Sequence, residues 1–203
     1  MSRNADEYIR TYTGRKFYAL DPHPEDVDIR DIAHALSNNC RWGGHAHTFY
    51  SVAQHSLFVA YFVPTLEALL HDASEAYIMD MPRPIKRQMP EYSAIEDRLM
   101  RCIAERFGFA YPVDKLVKAA DDFALYHEKR MLFPNSEPTE VLSDAAVDFF
   151  FDKRLDGNFF SPERIEFVQP QEVERLFIGE FAVLYGRNCD ERKHSSKAAP
   201  VAA

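Results

Sequence analysis

Apolar side chains recur every three to four residues over much of the chain, which is the spacing of amphipathic helices. Acidic residues precede the first such segment and Asn38-Asn39 follows it, so the pattern predicts a helix of about three turns. Ser51 is an N-cap candidate for a second helix, which Pro64 ends. A third helix is expected from about Leu66 to Tyr77.

Two longer helices are predicted next. Ser93 and Glu96 form a capping-box pattern in front of an apolar stripe that Gly108 terminates. The following helix begins after Pro112 and continues to about Leu132, shortly before a second proline. The spacing in both segments is helical, and no internal repeat interrupts the order of elements.

The two ends of the chain follow different patterns. Residues 8 to 25 alternate aromatic and polar positions around a glycine turn, which favours a short hairpin. Residues 134 to 170 give no clear pattern, and a last amphipathic helix is closed by Gly186. The expected fold is all-α, a bundle of about six or more helices with a small extended arm. The expected boundaries are an N-terminal arm at 1–26, one helical domain over 1–186 and a disordered tail at 187–203.

Composition narrows the classes of function. The 203 residues carry 24 Lys and Arg against 32 Asp and Glu, so the net charge of −8 argues against binding long nucleic acid. Three cysteines without a close pair predict neither a disulfide framework nor a structural zinc cluster, and a cytoplasmic location fits best. No apolar run approaches the ~18 residues of a membrane span, so no membrane partner is expected.

A histidine–aspartate pair, His71-Asp72, interrupts an apolar stretch. Burying both groups without a partner would cost several kcal/mol, so they need a strong one. A divalent cation is such a partner, because neutral imidazole and carboxylate are ligands of Zn, Mn, Co and Fe. A pair at the solvent edge of a helix explains the same two residues without a metal.

Two more polar residues are expected near this pair. His55 precedes His71 by 16 residues, and a helical hairpin of that length can bring the two imidazoles together. Asp121 is an acidic residue within the apolar run of another helix. With Asp72, the set would supply four nitrogen and oxygen ligands and leave positions for water and a phosphate oxygen on a six-coordinate metal.

In this order the residues reproduce the H…HD…D signature of the HD-domain metal-dependent phosphohydrolases. The resemblance covers roughly residues 28 to 130, and it is greatest to bacterial 5′-deoxynucleotidases and phage dATP triphosphohydrolases. It implies an all-helical HD-domain fold, hydrolysis of a nucleotide phosphate ester, a divalent metal and a homodimer; Mn, Co, Zn or Fe fits the ligands, with Mg as a candidate second ion. The matching strings are Arg41-Trp42, Ser51–Leu57, His71–Glu75, Asp80–Lys86 and Lys118–Asp121.

Two acidic residues are the candidates for catalysis. Glu75 follows His71 by four residues, so one helical turn would bring its carboxylate to the ligand face, where it could orient water or hold a second metal. The resemblance implies that a carboxylate at the position of Asp80 is needed with it. Water would attack the phosphorus beside the sugar 5′ oxygen while one acid assists the water and the other protonates the departing oxygen. The sequence does not divide these two roles.

The substrate would be a small nucleotide, and four residues are candidates for contacting it. Arg41 offers a bidentate fork for phosphate and Lys86 a point charge, although either could be an ordinary surface cation. Trp42 suits stacking on a nucleobase, and plain core packing explains it as well. Pro82 resembles the family's proline that lines the nucleoside pocket.

Several functions therefore stay open at this point. A 5′-deoxynucleotidase is the leading hypothesis, and Arg83 and Arg87 keep a triphosphohydrolase open because they add cations for a longer phosphate chain. An alarmone hydrolase is a weaker variant that would attack a 3′ diphosphate. A non-catalytic metal or nucleotide module would not need Glu75 and Asp80, and a helical scaffold would bind no metal.

Overall fold

The computed structural model describes residues 7–134 and 167–197, and these form a mainly helical fold with one two-stranded sheet. This confirms the coarse expectation of an all-α protein. The predicted irregular stretch 134–170 lies almost wholly outside the described residues. The strands are β1 (Ile9–Arg10) and β2 (Lys16–Phe17), and the α-helices are α1 (Ile29–Asn38), α2 (Val52–Phe62), α3 (Leu66–Leu69), α4 (Glu75–Ile78), α5 (Arg83–Lys86), α6 (Pro90–Phe107), α7 (Lys115–Leu132) and α8 (Pro170–Lys197).

Helix α2 lies at the centre of the fold. Nearly all of its residues are buried, because it packs against α1, α3, α7 and α8. Its start is fixed by a capping box, in which Ser51 Oγ accepts from the amide of Gln54 and Gln54 Oε1 accepts from the amide of Ser51. A polar side chain on this helix is therefore held in a dry and rigid environment.

The predicted N-terminal hairpin is present and packs on α1 and α4. Strands β1 and β2 are antiparallel, with Ile9 opposite Phe17. Asp31 of α1 holds the turn by accepting from the amide of Thr13 at 2.6 Å and from its hydroxyl at 2.9 Å. Phe17 is fully buried and stacks on Tyr77 of α4 at 3.8 Å between ring centroids. The arm therefore fixes the short helix that carries Glu75.

The predicted helix from Leu66 to Tyr77 is wrong in its middle. The chain forms α3, then turns at residues 70–74, and resumes as α4. His71 and Asp72 lie in this turn, so His71 and Glu75 are not joined by one continuous α-helix, and the expected approach of their side chains stays a prediction. The turn is anchored because the ring Nδ1 of His71 donates to the carbonyl of Ala68 at 2.8 Å.

Two predicted helix ends also differ from the structure. Helix α6 begins at Pro90 instead of at a Ser93 capping box, since proline suits the first turn of a helix. Helix α8 does not end at Gly186 but continues to Lys197, so the predicted disordered tail is helical over residues 187–197. Asn188 gives this extension a partner, because its side-chain amide donates to the carbonyl of Gly108 at 2.9 Å.

The remaining expectations concern membranes and cysteines. No helix in the described part of the chain is long and apolar enough to cross a membrane. No disulfide joins Cys40, Cys102 or Cys189.

Candidate metal centre

Three side chains from separate elements bring metal-ligating atoms together. His55 of α2 is fully buried, and its Nε2 lies 3.2 Å from Nε2 of His71 and 3.2 Å from Oδ1 of Asp121 on α7. The ligating atoms of the three residues all lie within 4.8 Å of one another. The structure thus contains a candidate metal site at His55, His71 and Asp121, three of the four residues predicted for it.

The fourth predicted ligand, Asp72, lies beside the same atoms. Its Oδ2 is 3.3 Å from Nε2 of His71 and 3.6 Å from Nε2 of His55. The guanidinium of Arg41 is 3.5 Å from the same oxygen. Asp72 therefore faces both imidazoles and a buried cation.

Hydrogen bonds fix the tautomers of both imidazoles. Nδ1 of His55 lies 2.6 Å from Glu128 Oε1, and Nδ1 of His71 lies 2.8 Å from the carbonyl of Ala68. Carboxylate and carbonyl oxygens only accept, so both Nδ1 atoms carry hydrogen. In the neutral rings the Nε2 lone pairs then point toward each other and toward the carboxylates, which is the arrangement of two histidine ligands to one metal.

The spacing of these atoms fits a transition metal. Two ligands each about 2.1 Å from one ion lie roughly 3.0 Å apart at an octahedral angle and 3.4 Å apart at a tetrahedral angle. The distances from Nε2 of His55 to the other three ligand atoms are 3.2, 3.2 and 3.6 Å. Imidazole nitrogen with carboxylate oxygen suits Zn, Mn, Co or Fe. The residues present therefore fit the predicted class of cation.

The carboxylates of the centre favour a positively charged His55, and His55 in turn favours an ionised Asp121. Burial and Arg41 lower the pKa of His55, but Glu128 and Asp121 outweigh them and raise it to about 9. Burial raises the pKa of Asp121, yet its hydrogen bond to His55 and the charges of His55, His71 and Lys118 hold it well below its usual range. In the metal-free protein, His55 is therefore protonated and supplies the positive charge that a metal ion would otherwise supply.

Glu128 is a residue of this centre that the sequence analysis missed. It is fully buried on α7, seven residues after Asp121. Its Oε1 accepts from His55 Nδ1 and, at 2.9 Å, from the hydroxyl of Tyr50. The signal was present in the sequence, because Glu128 continues the apolar stripe of Val117 and Ala124, where a charged residue needs partners.

The two candidate catalytic acids differ in burial. Glu75 is only 8% exposed, and its Oε2 has no hydrogen-bond partner among the described residues. Burial, followed by the charges of Asp72 and Asp80, raises the pKa of Glu75 well above its usual value. Asp80 follows α4 and is half-buried. The structure thus brings Glu75 within electrostatic range of the predicted ligand Asp72, and Asp80 within range of Glu75 and Arg41.

Arg41 is buried among carboxylates. The loop that carries it pairs with the segment just before α2, because the amide of Arg41 donates to the carbonyl of Tyr50 at 2.9 Å. One terminal nitrogen lies 3.5 Å from Asp72 and the other 3.5 Å from Glu128. Burial lowers the pKa of Arg41, but the charges of the surrounding carboxylates raise it above its usual value. Both terminal nitrogens thus face protein carboxylates, and the predicted phosphate contact stays a prediction.

The other predicted substrate residues have protein contacts of their own or are exposed. Trp42 has a left-handed backbone at φ 61° and packs edge-on against Phe133 at 5.2 Å between ring centroids. Lys86 forms an ion pair with Glu96 at 2.5 Å, and Pro82 is exposed directly before α5. Their contacts with a substrate remain predictions.

Two cations flank the outer oxygen of Asp121. Lys118 donates to Oδ2 at 2.7 Å, and Arg83 lies 3.8 Å from the same atom. Both side chains are more than half exposed. These cations lie at the solvent side of the ligand cluster, and Lys118 was not singled out for chemistry from the sequence.

Comparison with known proteins gives a family but no activity. No known family model matches the chain. The chain is 42% identical to the uncharacterized protein YfdR of Escherichia coli (strain K12) over 128 residues, which cover 62% of this chain and 72% of YfdR. It is 33% identical to the uncharacterized protein RCAP_rcc00048 of Rhodobacter capsulatus over 192 residues, which cover 86% of this chain and 94% of that protein. The chain therefore belongs to the family of YfdR and RCAP_rcc00048.

Proposed function

We propose that this protein is a divalent-metal-dependent phosphohydrolase of the HD-domain type that cleaves the 5′ phosphate ester of deoxynucleotides. The observation that carries the proposal is the convergence of ligand atoms from His55, His71 and Asp121 within 4.8 Å of one another, with an oxygen of Asp72 3.3 and 3.6 Å from the two imidazole nitrogens. A bound transition metal supplies charge neutralisation of the phosphate and acidifies water at neutral pH. The ordered resemblance of the sequence to HD-domain phosphohydrolases supports the same reaction class.

The two acids outside the ligand set support catalysis over a purely structural metal. A structural site is closed by its ligands and has no use for further acids beside it. Glu75 is buried without a hydrogen-bond partner on Oε2 among the described residues, and its raised pKa favours the protonated form. A protonated carboxyl can give its proton to the departing 5′ oxygen, while Asp80 accepts a proton from the attacking water. The proposal therefore assigns the acid role to Glu75 and the base role to Asp80.

The exposed cations support an anionic substrate. Arg83 and Lys118 lie at Asp121, and Arg87 is exposed just after α5. Guanidinium groups bind phosphate oxygens bidentately, so this side of the centre suits the phosphate of a nucleotide. Three cations also favour a second candidate function, hydrolysis of deoxynucleoside triphosphates with release of triphosphate. The two candidates share the metal and differ in the inorganic product.

The test is a hydrolysis panel with metal-stripped protein. Deoxy- and ribonucleoside mono- and triphosphates are incubated after addition of Mn, Co, Zn or Mg, and phosphate, pyrophosphate, triphosphate and nucleoside are quantified. We expect metal-dependent release of deoxynucleoside with phosphate, and its loss in Asp72→Ala. Nucleoside with triphosphate would select the second candidate. Metal binding without turnover of any nucleotide, including a 3′-diphosphate alarmone, would contradict the proposed function.

A further inference from the structure

Glu128 is not one of the predicted metal ligands, but it contacts one of them inside the protein. It is fully buried; two hydrogen-bond donors contact its Oε1, and a cation lies at ion-pair distance from its Oε2, which has no hydrogen-bond partner among the described residues. His55 Nδ1 and Tyr50 OH lie 2.6 and 2.9 Å from Oε1, and a terminal nitrogen of Arg41 lies 3.5 Å from Oε2. A buried carboxylate is destabilising unless it keeps such partners, so this set of contacts constrains every member.

The contact with His55 decides which ring nitrogen can bind a metal. Because the carboxylate accepts only, it keeps a hydrogen on Nδ1 and leaves Nε2 for ligation. The carboxylate also prevents rotation of the ring about its bond to Cβ, since rotation would separate Nδ1 from Oε1. Partners of this kind orient metal-binding histidines and raise their basicity.

Helix α7 couples this partner to a ligand. Asp121 and Glu128 are seven residues apart, so two helical turns place them on one face of the same rigid element. Asp121 Oδ1 and Glu128 Oε1 then contact the two ring nitrogens of His55 from α7 alone. Arg41 extends the link, because its other terminal nitrogen contacts Asp72.

We propose that Glu128 is a positioning residue of the metal centre, which fixes the tautomer and orientation of His55 and, through Arg41, the position of Asp72. The proposal rests on the metal site of the proposed function and does not depend on hydrolysis. It differs from a purely structural ion pair in a specific way: loss of the carboxylate should weaken metal binding beyond any effect on folding.

The test measures zinc affinity by competition with a chelator in metal-stripped full-length protein. Glu128→Gln keeps the shape and removes the charge, Tyr50→Phe removes one donor, and Glu105→Gln is the matched control because Glu105 is exposed on α6. We expect Glu128→Gln to bind zinc about 10- to 100-fold more weakly, with a smaller loss in Tyr50→Phe. The control should match the unaltered protein. Circular dichroism of each variant verifies that it is folded.

A spectroscopic readout on the unaltered protein keeps the test decisive even where a variant does not fold. In zinc-loaded protein with ¹⁵N-histidine, the His55 resonances, assigned by their absence in His55→Gln, should show hydrogen on Nδ1 and zinc on Nε2. In Glu128→Gln the Nδ1 proton should move upfield because its acceptor loses its charge.

Each outcome bears on the inference separately from the proposed function. Zinc affinity of Glu128→Gln within threefold of the unaltered protein, a His55 ring without hydrogen on Nδ1, or no zinc binding at all would overturn it. Weakened zinc binding in a protein that hydrolyses no phosphate ester would support the inference and contradict the function. Hydrolysis of a phosphate ester together with unchanged zinc affinity in Glu128→Gln would support the proposed function and contradict the inference.

Discussion

Nε2 of His55 lies 3.2 Å from Nε2 of His71, although the Nδ1 atoms of both rings are already committed as donors. Two nitrogen lone pairs at this distance repel each other unless a positive charge lies between them. Either a proton or a metal ion supplies that charge. A proton and a metal ion therefore compete for the space between the two Nε2 atoms.

Metal binding should release a proton from His55. The pKa of His55 in the metal-free protein is raised to about 9 from an ordinary value of 6.5, so the ring is protonated at pH 7 and must lose that proton to bind a metal. Affinity should therefore rise about tenfold per pH unit from pH 7 and level off near pH 9. Calorimetry in buffers of different ionisation enthalpy should give about one proton released per ion at pH 7. A pH-independent affinity with no proton release would contradict this electrostatic description.

Glu75→Gln should stabilise the metal-free protein while abolishing turnover. The pKa of Glu75 is raised in the folded state, mainly by burial, so folding favours its protonated form and stability falls as the pH rises above the unfolded value of about 4.5. Glutamine carries no charge to bury, so its stability advantage should grow steadily as the pH rises above about 4.5. Loss of a catalytic acid should lower kcat about 100-fold or more.

Thermal unfolding from pH 4.5 to 8 in the presence of a chelator measures the stability difference. Glu105→Gln again serves as the exposed control, and it should unfold at the same temperature as the unaltered protein across this range. A Glu75→Gln protein that is less stable than the unaltered protein at pH 8 would show that Glu75 is ionised and paired in the folded state.

Arg41→Gln should destabilise the metal-free protein more than the metal-loaded one. Arg41 lies between Asp72 and Glu128, and removing it leaves both carboxylates without their shared cation. Breaking a buried charge pair costs on the order of 3–5 kcal/mol, and a bound divalent ion should restore part of this by neutralising Asp72. Denaturant unfolding with and without saturating zinc compares the two states. An equal loss in both would mean that Arg41 and the metal do not share a counter-charge.

Three of the predicted metal ligands could be found in the sequence because each is a polar residue in a short, mainly apolar segment. His55 follows a capping box that fixes the start of α2, and Asp121 interrupts the apolar face of α7, so each could be placed on a helix before the structure was known. The hairpin arm and the left-handed Gly108 at the end of α6 were predictable from the turn preferences of glycine.

Other features depend on tertiary contacts that periodicity does not encode. The apolar spacing of residues 66–77 favours one continuous helix, but the structure turns at His71 and Asp72. The apolar stripe of α7 marks Glu128 as a residue that needs partners, but its role at the metal centre follows only from its contacts with Tyr50 and His55. Gly186 has the residue type of a helix end, but the structure continues α8 past it and gives Asn188 a partner at the end of α6.

A pair of glycine substitutions tests that continuation of α8. Gly186→Ala should raise stability by about 0.5–1 kcal/mol, because alanine is the better helix former and no atom lies within 4 Å of the new Cβ. Gly108→Ala should lower stability by about 1–2 kcal/mol, because Gly108 has φ 72° and the Cβ would meet the flexible end of Arg192. Urea unfolding gives both values. A destabilising Gly186→Ala would indicate that the helix ends there after all.

The most direct test of the central claim is to locate the metal itself. Crystals of the protein loaded with Zn or Mn should give an anomalous difference peak, measured at the absorption edge of that metal, about 2.0–2.3 Å from Nε2 of His55 and His71 and from the carboxylates of Asp72 and Asp121. His71→Ala crystals treated in the same way should lose the peak. A peak at those four residues would establish the centre on which the proposed hydrolysis depends. Its absence there in loaded protein, or its presence only elsewhere, would contradict the account.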